Sequence, residues 1–257
     1  MKFGVCASPD AAAQVRAAGY DFLECTVGGF VMPDQPAARF EAALADFRQQ
    51  GFPCLALNCF LPASLRVTGP DVDRQALERY VSIVCERAGR AGVTRLVFGS
   101  GGARRVPEGF PVAEAHQQIL AFLRLCAPMA ERHRLVIVIE PLNTHECNIL
   151  THVSECAAMV REVRHPAIRL LADIYHMLQN GETADDLAPH VELLRHVHIA
   201  TRENRRPPAA EPCDFAPFFR VLKAGGYSEG VSVEARAQDP AREWPAALAL
   251  MNALADS

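Results

Sequence analysis

The 257-residue sequence contains no apolar run approaching the roughly 18 residues that a membrane-crossing helix needs. It also has no block of like charge: 26 Lys+Arg stand against 30 Asp+Glu, a formal net charge of -4, dispersed along the chain. Without a basic face there is no electrostatic footprint for a nucleic-acid backbone or an anionic membrane, and neither is an expected partner. Among its nine cysteines, an odd number, no C-x-x-C pair occurs, which argues against a disulfide framework or a structural zinc ribbon. Several cysteines, such as Cys54 and Cys59, sit in apolar stretches where a thiol acts as a small hydrophobe. From Met1-Lys2 the chain passes through one short apolar stretch straight to Pro9-Asp10, so a reducing, cytoplasmic location is the expectation.

What the sequence does have is ordinary globular composition, 50% apolar and 22% charged, arranged with a clear rhythm. Apolar, β-rich runs recur at Phe3 to Cys6, Phe22 to Cys25, Cys54 to Asn58, Arg95 to Gly99, Leu135 to Glu140, Arg169 to Asp173, His196 to Ile199 and Gly230 to Glu234. Between them apolar residues return at three- and four-residue intervals, as at Leu77, Tyr80, Val81 and Val84 or Ile119, Leu123, Cys126 and Ala130, the spacing of an amphipathic helix. Strands apolar throughout, rather than alternating, suit a parallel sheet covered on both faces. Strand–helix units of roughly 33 residues account for the length, which predicts an α/β fold: a single (β/α)8 TIM barrel over residues 1–257, with a doubly wound open sheet as the alternative. The Gly- and Pro-bearing stretches, such as Gly99 to Pro111 and Arg202 to Pro212, follow strands and read as rim loops rather than linkers. Gly92 and Gly225-Gly226 are expected to end helices, and Pro128 to kink one.

Four consecutive strands run into a ligand-type side chain. Val136 to Ile139 leads to Glu140, Leu170 to Ala172 to Asp173, Val197 to His198, and Val231 to Val233 to Glu234. Parallel barrel strands end at one rim, so these side chains would converge, and three carboxylates brought together repel unless protons or a cation intervene. Three carboxylates and an imidazole, with no thiolate, suit one divalent metal ion: Mn2+, Co2+ or Mg2+, with Zn2+ also admissible. Glu140 and Glu234, from the fifth and eighth strands, would then address opposite faces of a carbon next to a polarised carbonyl. His196, two residues before His198, points the same way one layer deeper and is expected to be a buried, hydrogen-bonded imidazole. Gly99-Ser100-Gly101-Gly102 with Arg104-Arg105 reads either as a tight turn or as a holder for a phosphate or a sugar's far end. Phe30, Phe60, Leu61 and Phe110 read either as pocket walls or as packing residues.

The segments Glu140-Pro141-Leu142-Asn143-Thr144-His145-Glu146-Cys147-Asn148, Asp173-Ile174-Tyr175-His176, His196-Val197-His198 and Val233-Glu234 resemble, in order and spacing, the xylose-isomerase-like barrel superfamily. Within it the resemblance is to the sugar (phosphate) isomerases and epimerases related to D-tagatose 3-epimerase, strongest from Val136 to Glu234 and weak before Arg95. It implies that Glu140, Asp173, His198 and Glu234 bind one metal, that Glu140 and Glu234 are the catalytic acid/base pair, and that Glu146, His176 and Arg205 contact substrate oxygens. The loop from His198 to Arg205-Arg206 is one residue longer than the family's usual spacing, which leaves open which arginine reaches the site. The implied reaction abstracts a proton next to the carbonyl of a ketose or sugar phosphate, passes through an enediolate, and returns the proton to give an epimer or an aldose. The implied partner is a small sugar, and homo-oligomers are common among such proteins.

Other readings of the same residues are a hydroxypyruvate isomerase, an inosose-dehydratase-like lyase, or a barrel that binds sugar without catalysis. In the hydroxypyruvate isomerases the position of His198 is commonly glutamine, so His198 favours the epimerase branch. The DNA-repair endonuclease IV branch needs further histidines at the third and fourth strand ends, where this chain has Asn58-Cys59 and Gly99-Ser100.

Overall fold

The apolar runs form eight strands, β1 (Lys2–Cys6), β2 (Phe22–Thr26), β3 (Cys54–Asn58), β4 (Arg95–Phe98), β5 (Val136–Ile139), β6 (Ile168–Asp173), β7 (Leu194–Ile199) and β8 (Gly230–Val233), in a computed structural model that describes residues 1–257. Every strand pairs in parallel with the next, and β8 pairs with β1, so the sheet closes into a barrel. Closure rules out the open doubly wound sheet. The register shifts between Leu23 and Glu24 and between Leu170 and Leu171, irregularities of the kind that re-aim side chains at barrel rims.

Helices fill the crossovers. The first three are α1 (Ala12–Ala17), the single turn α2 (Val27–Phe30) and α3 (Ala37–Gln49), followed by α4 (Arg74–Ala91), the single turn α5 (Gly101–Arg104) and α6 (Val112–Arg132). Then come α7 (Val153–Val163), α8 (Ile174–Gln179), α9 (Ala184–Leu187), α10 (Ala216–Ala224) and α11 (Pro240–Asp256). The stripe Ile119, Leu123, Cys126 and Ala130 is the buried face of α6, and that helix continues across Pro128 to Arg132. Gly92 ends α4 in the left-handed region, at φ 80, where a side chain would be strained. No helix is long and apolar enough to cross a membrane.

Glu140 and Glu234 lie one residue beyond β5 and β8 rather than inside them. Their backbone N–H groups still donate across the sheet, to the carbonyls of Phe98 and Ile199 at 3.2 Å each. Pro141 cannot donate, so the β5 ladder stops there and Glu140 is left at the rim.

The main core lies between sheet and helices, where Phe60, Phe98 and Phe122 pack edge-on or tilted with ring centres 5.3 to 6.5 Å apart. Inside the barrel, Val97, Val138 and Leu171 make a small separate apolar cluster. The opposite half of the interior is unlike the branched apolar filling typical of such barrels, because Glu24, His196 and Ser232 are buried there beside Phe22. Gly4 makes room for that ring: a Cβ on it would lie 2.2 Å from the Phe22 edge.

Candidate metal centre

The four strand-end side chains meet. Ligand atoms of Glu140, Asp173, His198 and Glu234 all lie within 4.8 Å of one another. His198 Nδ1 stands at the middle, 2.9 Å from Glu140 Oε1, 3.4 Å from Glu234 Oε2 and 3.8 Å from Asp173 Oδ2. Asp173 also caps α8, its Oδ1 accepting from the His176 N–H at 3.1 Å. Its other oxygen, Oδ2, is buried and accepts no hydrogen bond. A buried carboxylate oxygen without a donor, aimed at two more carboxylates and an imidazole, fits a hard divalent cation, and the donor set supplies the oxygens and nitrogen such an ion takes.

The electrostatics show the same tension. Burial pushes the Glu140 carboxyl up, and burial together with the Glu234 charge pushes Asp173 up to about 6. Burial also works against ionising Glu234, but His198 and Arg205 outweigh it and hold Glu234 at about 2. His198 is likewise opposed by burial, yet Glu24 and Glu234 hold it well above the ordinary imidazole value. In the ion-free protein a proton on His198 thus supplies the positive charge the cluster lacks. The two glutamates are thus pushed in opposite directions by their surroundings.

The residues expected to touch substrate form one connected wall. The Asn143 side-chain amide donates to Glu146 Oε1 at 3.0 Å and lies 2.8 Å from His176 Nδ1, while the Asn143 backbone N–H donates to the same nitrogen at 3.2 Å. Arg205 is the arginine that faces the centre. Its Nη2 is 2.5 Å from Glu234 Oε2 and 3.9 Å from Asp173 Oδ2, its Nη1 is 3.7 Å from Glu146, and its guanidinium lies 4.6 Å above the Tyr175 ring. Arg206 turns away to pair with Glu243. The residue that separates the two is Arg205 itself, left-handed at φ 53.

Gly99 to Arg105 forms a supporting turn at the end of β4. Arg104 is fully buried, donating to the carbonyls of Phe98, Glu140 and Leu150 at 2.8 to 3.1 Å, and Arg105 donates to the Glu146 carbonyl at 2.8 Å. Arg104 thereby ties the ends of β4 and β5 to the Leu150 carbonyl, and Arg105 holds the loop carrying Glu146. Gly99 leaves space for the Glu140 carboxylate, since a Cβ on it would fall 2.0 Å from Glu140 Oε2. Gly99→Ala is expected to leave the melting temperature within a few degrees, because only the tip of a flexible side chain must move, but to cut turnover by about a hundredfold through displacement of that carboxylate. Thermal unfolding and initial rates measured on the same preparation check both halves. Phe30, Phe60 and Leu61 are buried and pack against the core rather than walling a cleft.

Three contributors had no role in the sequence reading. Asn143 links Glu146 to His176. Asn58, at the end of β3, donates to Glu234 Oε1 at 3.4 Å. Glu24 on β2 is fully buried beneath His198, with Oε1 2.9 Å from His198 Nε2. The visible signal for Glu24 was a carboxylate inside the apolar run Phe22 to Cys25. Beside the centre a cavity of about 360 Å3 opens between the ends of β1, β2 and β3, lined by Cys6, Ser8, Thr26, Asn58 and Cys59 with Glu24 and Glu234 at its edge.

Fold and site together define a (β/α)8 barrel with a carboxylate–imidazole cluster that could hold a metal ion at its carboxyl rim, the face on which such barrels build active sites. The family profile described as xylose isomerase-like TIM barrel matches residues 12–254, and the chain belongs to that family. It is 28% identical to the 3-dehydro-D-guloside 4-epimerase of Escherichia coli (strain K12) over 178 residues, 67% of this chain and 68% of that protein. With the hydroxypyruvate isomerase of the same strain it shares 24% identity over 137 residues, 52% of this chain and 53% of that one. The crystal structure of D-psicose 3-epimerase with D-tagatose from Clostridium cellulolyticum H10 superimposes with a TM-score of 0.86, covering 99% of each chain at 18% identity, a likeness of fold.

Proposed function

We propose that this protein is a metal-dependent isomerase/epimerase that moves a proton on the carbon next to a sugar's carbonyl, with inversion of that carbon as the outcome. The observation that carries the proposal is the pairing of Glu140 and Glu234 within one buried cluster that also holds Asp173 with its unpartnered oxygen. A divalent ion held by Glu140, Asp173, His198 and Glu234, Mn2+ on our reading with Co2+, Mg2+ or Zn2+ as substitutes, supplies Lewis-acid polarisation of a carbonyl oxygen. One glutamate removes the hydrogen beside the carbonyl, and the electron pair left behind gives an enediolate. The other glutamate returns a proton to the opposite face. Return to the same carbon epimerises it, and return to the former carbonyl carbon isomerises ketose to aldose.

The wall of Asn143, Glu146, His176 and Arg205 orients the substrate. Arg205 supplies donors for a developing oxyanion, and Glu146, on the solvent side, accepts from a hydroxyl. His176, held at Nδ1 by Asn143, turns its other ring nitrogen toward the centre, 3.6 Å from Asp173 Oδ2. The cavity beside the centre is lined by neither lysine nor arginine, which favours an uncharged sugar over a phosphate ester. Similarity to a glycoside 4-epimerase supports epimerisation of a keto sugar, and similarity to a hydroxypyruvate isomerase supports the same proton transfer on a smaller carbonyl compound.

Incubating the Mn2+-loaded protein in D2O with free ketoses, keto-glycosides, sugar phosphates and hydroxypyruvate tests the proposal. Deuterium is expected at a carbon next to the carbonyl of a keto sugar, with its epimer appearing in the same spectra. A dehydrated product would move the protein to the lyases, preference for hydroxypyruvate to that isomerase, and sugar binding with no deuterium anywhere would leave a non-catalytic barrel.

A further inference from the structure

We infer that Glu24 is a positioning residue that fixes which nitrogen of His198 faces the cation centre, acting as a carboxylate clamped between two imidazoles inside the barrel. The inference rests on the reading of Glu140, Asp173, His198 and Glu234 as a metal site.

Glu24 lies in the interior of β2, one layer below the rim, and no part of it reaches solvent. A carboxylate in that position is costly unless both oxygens are paired. Both are: Oε2 is 2.7 Å from His196 Nε2, and Oε1 is 2.9 Å from His198 Nε2. The two rings come from alternate residues of β7, so they share a face of the strand, and they meet edge to face with centres 5.1 Å apart. Ser232 Oγ on β8 lies 3.1 Å from the same His196 nitrogen and completes the anchor.

This arrangement decides the chemistry of His198. A neutral imidazole has one N–H and one lone pair, and only the lone pair binds a cation. Glu24 needs the N–H at Nε2, so the lone pair is left at Nδ1, the nitrogen that stands among Glu140, Asp173 and Glu234. His196 keeps the carboxylate from rotating away. A carboxylate behind a metal-binding imidazole fixes ring and tautomer and makes the nitrogen a better donor, and its loss typically costs about 10- to 100-fold in metal affinity. Its negative charge, held inside the barrel, also favours a dication above it. The ligand atoms of Cys6, Glu24 and His198 lie within 4.8 Å of one another as well, so a rival role for Glu24 is as a ligand of a second ion.

Two measurements test the inference. In the first, Co2+ is titrated calorimetrically into wild-type protein and Glu24→Gln. Glutamine keeps the shape, but its single oxygen accepts from one imidazole and its amide nitrogen cannot accept from the other. We expect one Co2+ per wild-type chain, and one per Glu24→Gln chain with a dissociation constant about 10- to 100-fold weaker and an unchanged far-ultraviolet circular dichroism spectrum. Equal affinity overturns the inference, and so does a wild-type stoichiometry of two that falls to one in the variant. Wild-type protein that binds no Co2+ or Mn2+ overturns the metal reading itself, a different result. The second measurement needs no variant and covers the case in which Glu24→Gln does not fold: 15N spectra of histidine-labelled, Zn2+-loaded wild-type protein. Protonated Nε2 and metal-bound Nδ1 on His198 are expected, and the reverse assignment overturns the inference.

Discussion

Glu234→Gln is expected to yield a folded barrel that no longer exchanges the substrate's hydrogen with solvent. The substitution changes one oxygen for an amide nitrogen in a side chain already held by the Asn58 amide at one oxygen and by Arg205 at the other, so the shape of the site survives. What is lost is the ability to accept a proton. In this cluster Glu234 is the carboxyl held most firmly in its ionised form, by His198 and Arg205 against the opposing effect of burial, while Glu140 is pushed up. Removing a positioned acid or base costs about a hundredfold to ten-thousandfold in rate, and because Glu234 would also donate an oxygen to the proposed cation the upper part of that range is expected. Deuterium uptake followed by NMR reads the loss directly, with circular dichroism as the control for folding. Turnover within tenfold of wild type would remove Glu234 from the mechanism.

Stripping the ion is expected to abolish turnover, and adding Mn2+ back to restore it together with extra thermal stability. Without the ion the cluster carries three carboxylates whose charge is offset by a proton on His198 and by the single guanidinium of Arg205. Asp173 Oδ2 then remains buried without a partner. Binding a dication to the folded chain alone stabilises it by mass action, about 2.7 kcal/mol when the free ion is a hundred times its dissociation constant. The experiment is dialysis against a chelator, confirmation by elemental analysis that the ion is gone, and then activity and melting temperature with and without Mn2+. Full turnover from verified ion-free protein would sink the metal reading and leave Glu140 and Glu234 as an ordinary acid/base pair. His198→Gln should weaken the same recovery by removing the one nitrogen donor of the set.

The barrel was legible because each strand announces itself as a short apolar run with a helical stripe before the next, a pattern that left only a doubly wound open sheet as the alternative until closure of β8 on β1 removed it. The quartet was legible for a related reason: a charged or imidazole side chain that ends an apolar strand sits at the rim whatever the loops do. Glu24 was not, because whether a carboxylate in the run Phe22 to Cys25 points into the barrel depends on the phase of the pleat, which a short run apolar on both faces does not reveal. Arg104 and Gly99 were half legible. Their clustering signalled that something at the end of β4 needs donors and space, but the groups they serve are the carbonyls of Phe98, Glu140 and Leu150 and the carboxylate of Glu140, and a sequence does not show which backbone groups a closing barrel leaves unpaired. Arg205 and Arg206 are adjacent and alike in type, and only the left-handed turn at Arg205 separates the one beside Glu234 from the one beside Glu243.

The cavity between the ends of β1, β2 and β3 meets the half of the rim built after β5 to β8 only at Glu234 and Ala235. On the proposed reading this cavity would add a second recognition surface to the wall of Asn143, Glu146, His176 and Arg205. Exchanges in the segments after β1 to β3 are expected to alter which molecules the enzyme accepts while the carboxylates after β5 and β8 stay where they are. A library randomised at Ser8, Thr26 and Cys59 is accordingly a direct route to new sugar selectivity on an unchanged catalytic engine.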